Sequence, residues 1–418
     1  MSAAAPASTK PQYFLSYAVL GATVPFLSVL LKDRGLTEAQ IGVVLGVSSL
    51  GVIFTPVLVT VLADTRVAGR TIMGLLFALA GLFVALLVPA QAFWPVLACF
   101  ALHTFCLQAI FPLQDGVHFA AQAMRTARGL PETPFQTVRV WGSIGYIVPG
   151  AILWFALGPA TPDRAAGGAM TVAFYIAAAC AAVGAVYALV FLPHTPPPPR
   201  DPEGGGSRLP TAAAARALMR PHVLVFCCAM FLIHLGSQTY YFGYPLHLTE
   251  RAGFEQKWIG PITAIGVIIE VFVMLAFKPM LERLGLRRIM YLGALATAGR
   301  LFLLALLPDM VTAIATQIVH GFTVVIVHIA APTFLNAHAS DRYRNSMQGL
   351  YAMTFAGAGR ILGAFASGWL ATYGLATAFT AAGVVCTLAM VMFMFAFREP
   401  GADDRPEPRG FEVLPAEE

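Results

Sequence analysis

Several apolar stretches of transmembrane length carry an ionisable residue near their middle. Glu270 lies within the run IGPITAIGVIIEVFVMLAFK, and Arg300 and Arg360 lie within two later runs of similar character. A fourth apolar run carries His320 and His328. A charged side chain at that depth in a bilayer costs on the order of 3 kcal/mol, and such residues usually line a route for ions or substrates. The sequence therefore predicts a polar path through a membrane.

Glu270 is the acid in this set whose chemistry suits proton coupling. Burial favours the uncharged form of a carboxyl group, so a glutamate can take up and release a proton as its surroundings alternate between wet and dry. Glu270 is therefore the predicted proton-coupling residue. The alternative interpretation is that Glu270, Arg300 and Arg360 form a structural ion-pair network and that the histidines only pack.

Composition defines the class of protein. Hydrophobic residues make up 58% of the 418 residues, charged residues 11%, and the mean hydropathy is +0.74. Soluble domains have about 25% charged residues, so a soluble protein is excluded. The six cysteines all fall in apolar runs without metal-ligand spacing, so we expect no metal and no cofactor. The sequence contains no nucleotide-binding GxxxxGK[ST] motif and no nucleophile–base arrangement, so we do not expect an enzyme.

The chain divides into twelve apolar spans, which predicts an all-α membrane protein. The predicted spans are 13–31, 41–62, 71–88, 95–123, 138–157, 169–192, 222–247, 259–278, 288–307, 311–336, 346–370 and 375–397.

A Pro- and Gly-rich stretch separates the first six spans from the last six. Its composition cannot bury a core. We therefore expect an N-terminal six-helix bundle at 1–192, a cytoplasmic linker at 193–221, a C-terminal six-helix bundle at 222–397 and a cytoplasmic tail at 398–418. The loops LADTRVAGR and KPMLERLGLRR lie six spans apart and each combine an acid, a glycine and basic residues, as a duplicated unit would.

Basic residues predict the orientation. If both termini are cytoplasmic, 18 of the 26 Lys and Arg residues fall on the cytoplasmic side and five on the other. This bias predicts a multi-pass protein of the cell (inner) membrane with both termini inside. It also accounts for the net charge of +5 without nucleic acid as a partner. The expected partners are the lipid bilayer, protons and a small-molecule substrate, with the protein as a monomer.

Stretches spread over most of the chain carry a resemblance to a known family. They are VPFLSVLLKDRGLTEAQIGVVLG at 24–46, FPLQDG at 111–116, VRVWGS at 138–143, YYFGY at 240–244, GVIIE at 266–270 and QIVHGFTVVIVHIAA at 317–331. Their order and spacing resemble the 3-phenylpropionate permease and lactose permease-like group of the major facilitator superfamily. The two repeated loops resemble its signature loop, although Thr60 or Val61 stands where the first glycine is usual. The resemblance implies two pseudo-symmetric six-helix bundles and a proton symporter that works by alternating access.

The resemblance also implies roles for individual residues. Asp115 and Arg139 fall near the carboxylate and arginine that hold the substrate in lactose permease. Arg300 and His320 match an arginine and a histidine of its proton-coupling group, and Arg360 falls near a buried lysine. By hydropathy alone, Asp115 and Arg139 could instead form a surface pair, with the helix ending close to Asp115.

Departures from the lactose permease pattern put a lactose-type mechanism in doubt. Tyr146 stands where a tryptophan stacks on the sugar, and Thr323 stands where a glutamate follows the histidine. Glu270 instead has a direct counterpart in the phenylpropionate permeases.

Charge predicts the substrate. The candidate charges in the membrane are three arginines, Arg139, Arg300 and Arg360, and two acids, Asp115 and Glu270. At least one guanidinium therefore lacks a protein partner, and a carboxylate matches it best. Tyr240, Tyr241 and Tyr244 offer flat apolar surface for a ring, and the resemblance to phenylpropionate permeases implies the same kind of substrate. We therefore expect an aromatic monocarboxylate such as 3-phenylpropionate; the alternatives are a sugar or nucleoside symporter and a non-transporting, receptor-like protein. The predicted substrate-binding residues are Asp115, Arg139, Tyr146, Tyr240, Tyr241, Tyr244, His328 and Arg360.

Overall fold

The structure is a computed structural model that describes residues 9–65, 67–127, 129–130, 135–157, 166–192, 210–339 and 344–397, and the chain in these ranges is helical without any β-strand. Long apolar runs form helices in a bilayer because a helix satisfies its own backbone hydrogen bonds. The helices of the first half are α1 (Lys10–Thr23), α2 (Leu27–Asp33), α3 (Glu38–Thr65), α4 (Gly69–Leu87), α5 (Phe93–Thr126), α6 (Phe135–Leu157) and α7 (Ala166–Val190).

The described part of the second half contains nine α-helices and several short π-helical turns. These helices are α8 (Pro210–Leu218), α9 (Pro221–Leu246), α10 (Ile259–Leu306), α11 (Met310–Ala315), α12 (His320–Val325), α13 (Ala331–Ala337), α14 (Arg344–Tyr351), α15 (Ala358–Ala371) and α16 (Leu375–Val391). π-Helical turns follow α9 and α16 and connect α12 to α13 and α14 to α15.

The helices confirm the predicted fold class of twelve membrane spans. Ten segments of the described chain are long and apolar enough to cross a membrane. One of them, Gln256–Leu306, contains two predicted spans as the arms of α10, on either side of Gly285. Gly285 has φ 73° and ψ 160°, a conformation that glycine adopts without steric cost. Residues 344–371, which contain α14 and α15, complete the twelve.

Two predicted spans are interrupted rather than continuous. The first breaks between α1 and α2 at Pro25, whose ring cannot continue a regular helix. The span at 311–336 breaks between α11 and α12, so that Gln317 lies in the interruption and His320 is the first residue of α12. The second interruption contains a buried polar atom without a hydrogen-bond partner among the described residues, Nε2 of Gln317.

Part of the predicted linker is helical. Residues 210–218 form α8, which packs against α14 and α9 and buries Ala214, Ala217 and Leu218. The alanine-rich sequence of this part favours a helix, unlike the Pro- and Gly-rich part before it. Residues 193–209 and the predicted tail at 398–418 lie outside the described residues.

Hydrogen bonds repeat between the two halves with a fixed offset of 217 residues. Arg34 donates to the carbonyl oxygens of Leu87, Val88 and Ala90 at the end of α4. Arg251, which is 217 residues later (251 − 34), donates to the carbonyls of Leu304 and Ala305 at the end of α10.

A second pair of arginines has the same offset. Arg70 donates to the carbonyl of Leu192 near the end of α7, and Arg287 (287 − 70 = 217) donates to the carbonyl of Phe393 after α16. Helix C-termini leave carbonyl groups unpaired, and arginines can satisfy them. The four contacts show that the two halves are built on one pattern.

The two halves meet at one end of the bundle. We call the end at which α1 begins the terminal end, and the opposite end the distal end. At the distal end the Gln256 amide donates to Asp33 at 2.9 Å, and the rings of Trp154 and Trp258 pack edge to face at 5.6 Å. Deeper in the bundle, His328 is exposed although it lies within electrostatic range of Arg139 in one half and Arg360 in the other. The space between the halves is therefore closed at the distal end and open at the depth of His328.

Candidate functional site

Glu270 lies on α10 and faces the first half of the chain. Its backbone packs against α12, where a Cβ atom on Gly321 would lie 3.0 Å from the Glu270 Cα. The Glu270 side chain is half-buried and makes no hydrogen bond or ion pair within 4 Å with a residue that the structure describes. Arg139, from the first half, is the cation within electrostatic range of its carboxyl group. Glu270 and Arg139 therefore place opposite charges on the two halves.

Arg139 lies near the start of α6 and stacks on an aromatic ring of α1. Its guanidinium carbon is 4.3 Å from the centroid of the Tyr17 ring, which packs edge to face on Phe111 at 4.9 Å. A Cβ atom on Gly142 would lie 2.7 Å from the Tyr17 ring, so only a glycine lets the ring lie this close to α6. A cation over a tyrosine face is attracted by the ring quadrupole. Arg139 is thereby held between the two predicted acids.

Asp115 accepts a hydrogen bond from the Tyr13 hydroxyl group. Asp115 and Arg139 lie within electrostatic range but do not form an ion pair within 4 Å. Tyr13 and Tyr17 are four residues apart, so they project from one face of α1 and contact the acid and the arginine separately. The helix α5 continues past Asp115 to Thr126, so Asp115 lies within a helix rather than at the end of one.

Tyr13 and Tyr17 are not among the site residues predicted from the sequence. Their spacing of four residues in an apolar span was the available signal, but tyrosines near the ends of a span also suit the membrane interface.

Arg300 and His320, predicted together from the sequence, are in direct contact. The Arg300 Nη1 atom lies 2.7 Å from His320 Nδ1, and its guanidinium carbon lies 3.5 Å from the centroid of the Tyr240 ring. Arg300 is 3% exposed, and its Nε atom is buried without a hydrogen-bond partner. No carboxylate of the described chain pairs with it. The guanidinium charge is therefore balanced only by a neutral imidazole and an aromatic face.

The three tyrosines of α9 form one aromatic cluster. The rings of Tyr240 and Tyr244 stack at 4.7 Å, and those of Tyr240 and Tyr241 meet edge to face at 5.5 Å. The hydroxyl of Tyr240 donates to Gln317 Oε1 at 3.0 Å, and that of Tyr244 donates to the Ala313 carbonyl at 2.8 Å. These two hydroxyls are therefore already engaged with α11 and the turn after it.

A narrow cavity lies between this cluster and the first half. Its volume is about 30 Å³, enough for water but not for an organic acid. All four tyrosines that were predicted to bind substrate line this cavity, together with His320. The lining residues are Val24, Pro25, Tyr146, Tyr240, Tyr241, Tyr244, Pro245, Thr263, Val267 and His320.

Arg360 differs from Arg300 in lacking a hydrogen-bond partner among the described residues. It lies on α15, is half-buried, and makes no hydrogen bond or ion pair with any residue in the described part of the chain. Tyr241, Tyr351, His234 and His328 lie within electrostatic range of it. The surroundings of Arg360 thus offer aromatic rings and imidazoles, but no anion.

Comparison with known proteins agrees with this architecture. A protein-family model described as the MFS_1 like family matches residues 7–381. The "Probable 3-phenylpropionic acid transporter" of Escherichia coli (strain K12) is 24% identical, with 93% of this chain and 94% of that protein covered. The maltose permease of Geobacillus stearothermophilus is 26% identical, with 94% and 95% covered.

A solved structure shares the fold. A crystal structure of a single-substitution variant of the nucleoside transporter NupG has a TM-score of 0.81 at 21% identity, and the match covers 93% of this chain and 99% of that one. The NupG structure without that substitution gives a TM-score of 0.79 at 20% identity, with 94% and 98% covered. The chain therefore belongs to the MFS_1 like family of the major facilitator superfamily, and it is a multi-pass membrane transporter.

Proposed function

We propose that the protein imports a small aromatic monocarboxylate together with protons, by alternating access. The observation that carries this proposal is the lack of an anionic partner for Arg360 among the described residues. A half-buried guanidinium without a counter-ion is costly, and a carboxylate offers it two parallel hydrogen bonds. A substrate with one carboxylate would supply that partner.

The three arginines of the site differ in the groups that balance their positive charge. Arg139 lies within electrostatic range of both Asp115 and Glu270. Arg300 is enclosed by His320 and Tyr240 and is almost fully buried. Arg360 is half-buried, so it can still be reached from the space between the halves. We therefore assign the substrate carboxylate to Arg360.

The aromatic part of the substrate has a suitable surface beside Arg360. Tyr241 lies within electrostatic range of Arg360 and contacts the Tyr240 ring. Aromatic rings pair edge to face or in offset stacks with a gain of about 0.5–1.5 kcal/mol beyond burial. The cavity between Tyr241 and Tyr146 is too narrow for a ring as it stands, so substrate entry requires the halves to move apart.

Glu270 is the proposed proton carrier. It is half-buried and free of hydrogen bonds to described residues, and its charge acts across the interface on Arg139. Protonation removes that attraction, so it changes the free energy of bringing the two halves together. Protonation could thereby favour one arrangement of the halves over the other, which is what coupling requires.

A neutral nucleoside is the second candidate substrate. Similarity to nucleoside transporters favours it, since the nucleoside permease NupG of E. coli is 23% identical with 85% of each chain covered. Tyrosine rings would stack on a base as well as on a phenyl group. A nucleoside leaves Arg360 without an anion, and for this reason we rank it second.

We further propose that the protein is a monomer of the cell (inner) membrane, with the terminal end in the cytoplasm. In this proposal, residues 1–192 and 222–397 form the two six-helix bundles. The linker at 193–221 and the tail at 398–418 are on the cytoplasmic side.

Uptake by the purified protein in lipid vesicles tests the function. We expect a proton gradient to drive accumulation of labelled 3-phenylpropionate, and unlabelled acid to compete while its amide does not. Equal competition by the acid and the amide would contradict the role of a carboxylate, and uridine uptake without an effect of the acid would favour a nucleoside. No uptake of any labelled acid, sugar or nucleoside would favour a receptor-like protein.

A further inference from the structure

His103 and His320 occupy corresponding positions in the two halves. They are 217 residues apart (320 − 103), the same offset that relates Arg34 to Arg251. His103 lies on α5 and is 1% exposed, while His320 begins α12 and lines the cavity. Of these two equivalent histidines, His320 has access to the cavity and His103 does not.

The two rings hold their protons on opposite nitrogens. His103 Nδ1 lies 2.8 Å from the carbonyl oxygen of Ala80, and since a carbonyl only accepts, Nδ1 carries the proton there. His320 Nδ1 lies 2.7 Å from Arg300 Nη1, and since a guanidinium only donates, Nδ1 must be the acceptor. A neutral His320 ring then carries its proton on Nε2.

We propose that Arg300 fixes His320 in the form protonated on Nε2, so that this N–H selects substrates with a hydrogen-bond acceptor inside the cavity. Nε2 makes no hydrogen bond with any described residue, and it is not among the buried atoms that lack a partner. It is thus available to a molecule in the cavity. The identity of the acceptor as a carboxylate oxygen rests on the proposed function.

The same geometry removes His320 from the proton-coupling group predicted from the sequence. A second proton on Nδ1 would place an imidazolium 2.7 Å from a guanidinium, both nearly buried. The ionisable groups around the ring are Arg300 on α10, Tyr240 and Tyr244 on α9, Tyr146 on α6 and His328 after α12. Glu270 on α10 packs with its backbone against Gly321, next to His320, but neither its carboxyl group nor that of another described acid lies within electrostatic range of the His320 ring. No described acid therefore stabilises an imidazolium there.

A fixed hydrogen-bond donor discriminates between substrates because it disfavours any substrate that offers it no acceptor. A buried N–H that loses its water without gaining an acceptor incurs a free-energy penalty of about 1–3 kcal/mol. A site built to donate a hydrogen bond therefore rejects analogues that lack the acceptor. Arg300 is a positioning residue in this scheme, since it acts through His320.

Nitrogen-15 NMR of histidine-labelled protein tests the protonation state without any substrate. The signals are assigned by comparing the wild type with His320→Gln and with His103→Gln. We expect a neutral His320 ring with its proton on Nε2 between about pH 5 and pH 8, where histidines normally titrate, and His103 with its proton on Nδ1. A proton on Nδ1 of His320, or an imidazolium signal from it at neutral pH, would overturn the proposal.

Transport kinetics test the selective role. His320→Phe removes the donor and should raise KM for the transported substrate at least tenfold, while His320→Gln keeps an N–H group and should raise KM less. The ratio of protons to substrate should be unchanged in both, and His103→Gln serves as the matched control with wild-type KM. Loss of proton-driven accumulation in His320→Gln with retained exchange would show that His320 carries a proton. Should the Phe variant not fold, the NMR result alone decides.

Discussion

The backbones of Gly150 in α6 and Gly260 in α10 are in direct contact. A Cβ atom on Gly150 would lie 2.8 Å from the Gly260 Cα, and one on Gly260 would lie 2.5 Å from the Gly150 Cα. Gly42 in α3 and Gly368 in α15 meet in the same way, at 2.6 and 2.5 Å. Small residues allow helices to approach this closely. The two contacts join the halves at the distal end and close the path there.

Substitution of Gly260 should keep the distal end open. Gly260→Val places side-chain atoms where the Gly150 backbone lies, so we expect the closed arrangement to be lost and steady-state uptake to fall at least tenfold. Gly299→Val in the other arm of α10 is the matched control, because a Cβ atom at Gly299 has open space around it.

Thiol labelling distinguishes an open distal end from simple misfolding. Thr263 lines the cavity, and Thr263→Cys in a protein without native cysteines should react faster with an impermeant reagent from the distal side when Gly260→Val is present. Equal labelling rates with and without Gly260→Val, or normal uptake, would show that this contact does not close the path.

Glu270→Gln should abolish proton-driven accumulation and leave exchange of substrate. The amide has a similar shape but cannot be ionised, so the charge that acts on Arg139 is permanently absent. Accumulation and exchange are measured in the same vesicles, with Glu282→Gln as the control because Glu282 is exposed. Accumulation at the wild-type level in Glu270→Gln would exclude it as the proton carrier.

Hydropathy was sufficient to find the residues on α10 and α15. Glu270, Arg300 and Arg360 stand out because a charge inside an apolar run is rare and costly. The twelve spans follow from the same contrast between apolar runs and polar loops. The fold class could therefore be predicted from the sequence, and the structure confirms it.

Contacts that depend on helix rotation could not be predicted in this way. Tyr17 lies under Arg139 because α1 packs closely on α6, and the resulting rotation of α1 turns Tyr13 toward Asp115 on α5. A Cβ atom on Gly145 would lie 2.1 Å from the Phe14 carbonyl oxygen. Close packing of two helices fixes the rotation of each about its own axis, and a hydropathy pattern does not predict that rotation.

The hydrogen bond from Tyr13 to Asp115 should matter for the site. Hydrogen bonds to charged groups contribute about 1.5–3 kcal/mol, so Asp115→Asn and Tyr13→Phe should each raise KM several-fold without loss of folded protein. If the two residues act through one another, the effect of the double variant will be smaller than the product of the single effects. Additive free-energy effects would show that the two residues act independently, and unchanged kinetics in Asp115→Asn and Arg139→Gln would contradict a role for this group.

The orientation of the chain can be tested by labelling at exposed positions. Gln91 lies between α4 and α5 at the distal end, Ala215 lies on α8 at the terminal end, and both are exposed. Single cysteines at these positions, in a protein without native cysteines, should react from opposite sides of the membrane. We expect Gln91→Cys to react in intact cells and Ala215→Cys only after permeabilisation. The reverse pattern would place the termini outside.

Substitutions of Arg360 and of Arg300 should differ in their effect on binding of the substrate carboxylate. Arg360 has no anionic partner among the described residues and is half-buried, so Arg360→Gln should weaken binding of 3-phenylpropionate about a hundredfold, which corresponds to about 2.7 kcal/mol. Arg360→Lys keeps the charge but loses the parallel pair of hydrogen bonds, so we expect an intermediate loss. Binding is measured by calorimetry on detergent-solubilised protein, with the amide of the substrate as the comparison ligand.

The amide separates a charge interaction from a general loss of the site. Because it is neutral, its weak binding should change little in Arg360→Gln, whereas damage to the site would weaken the acid and the amide alike. Arg300→Gln should instead weaken both ligands, since Arg300 contacts His320 and Tyr240 rather than open space. If Arg300→Gln weakens only the acid while Arg360→Gln weakens neither ligand, the carboxylate binds at Arg300 and its assignment to Arg360 is wrong.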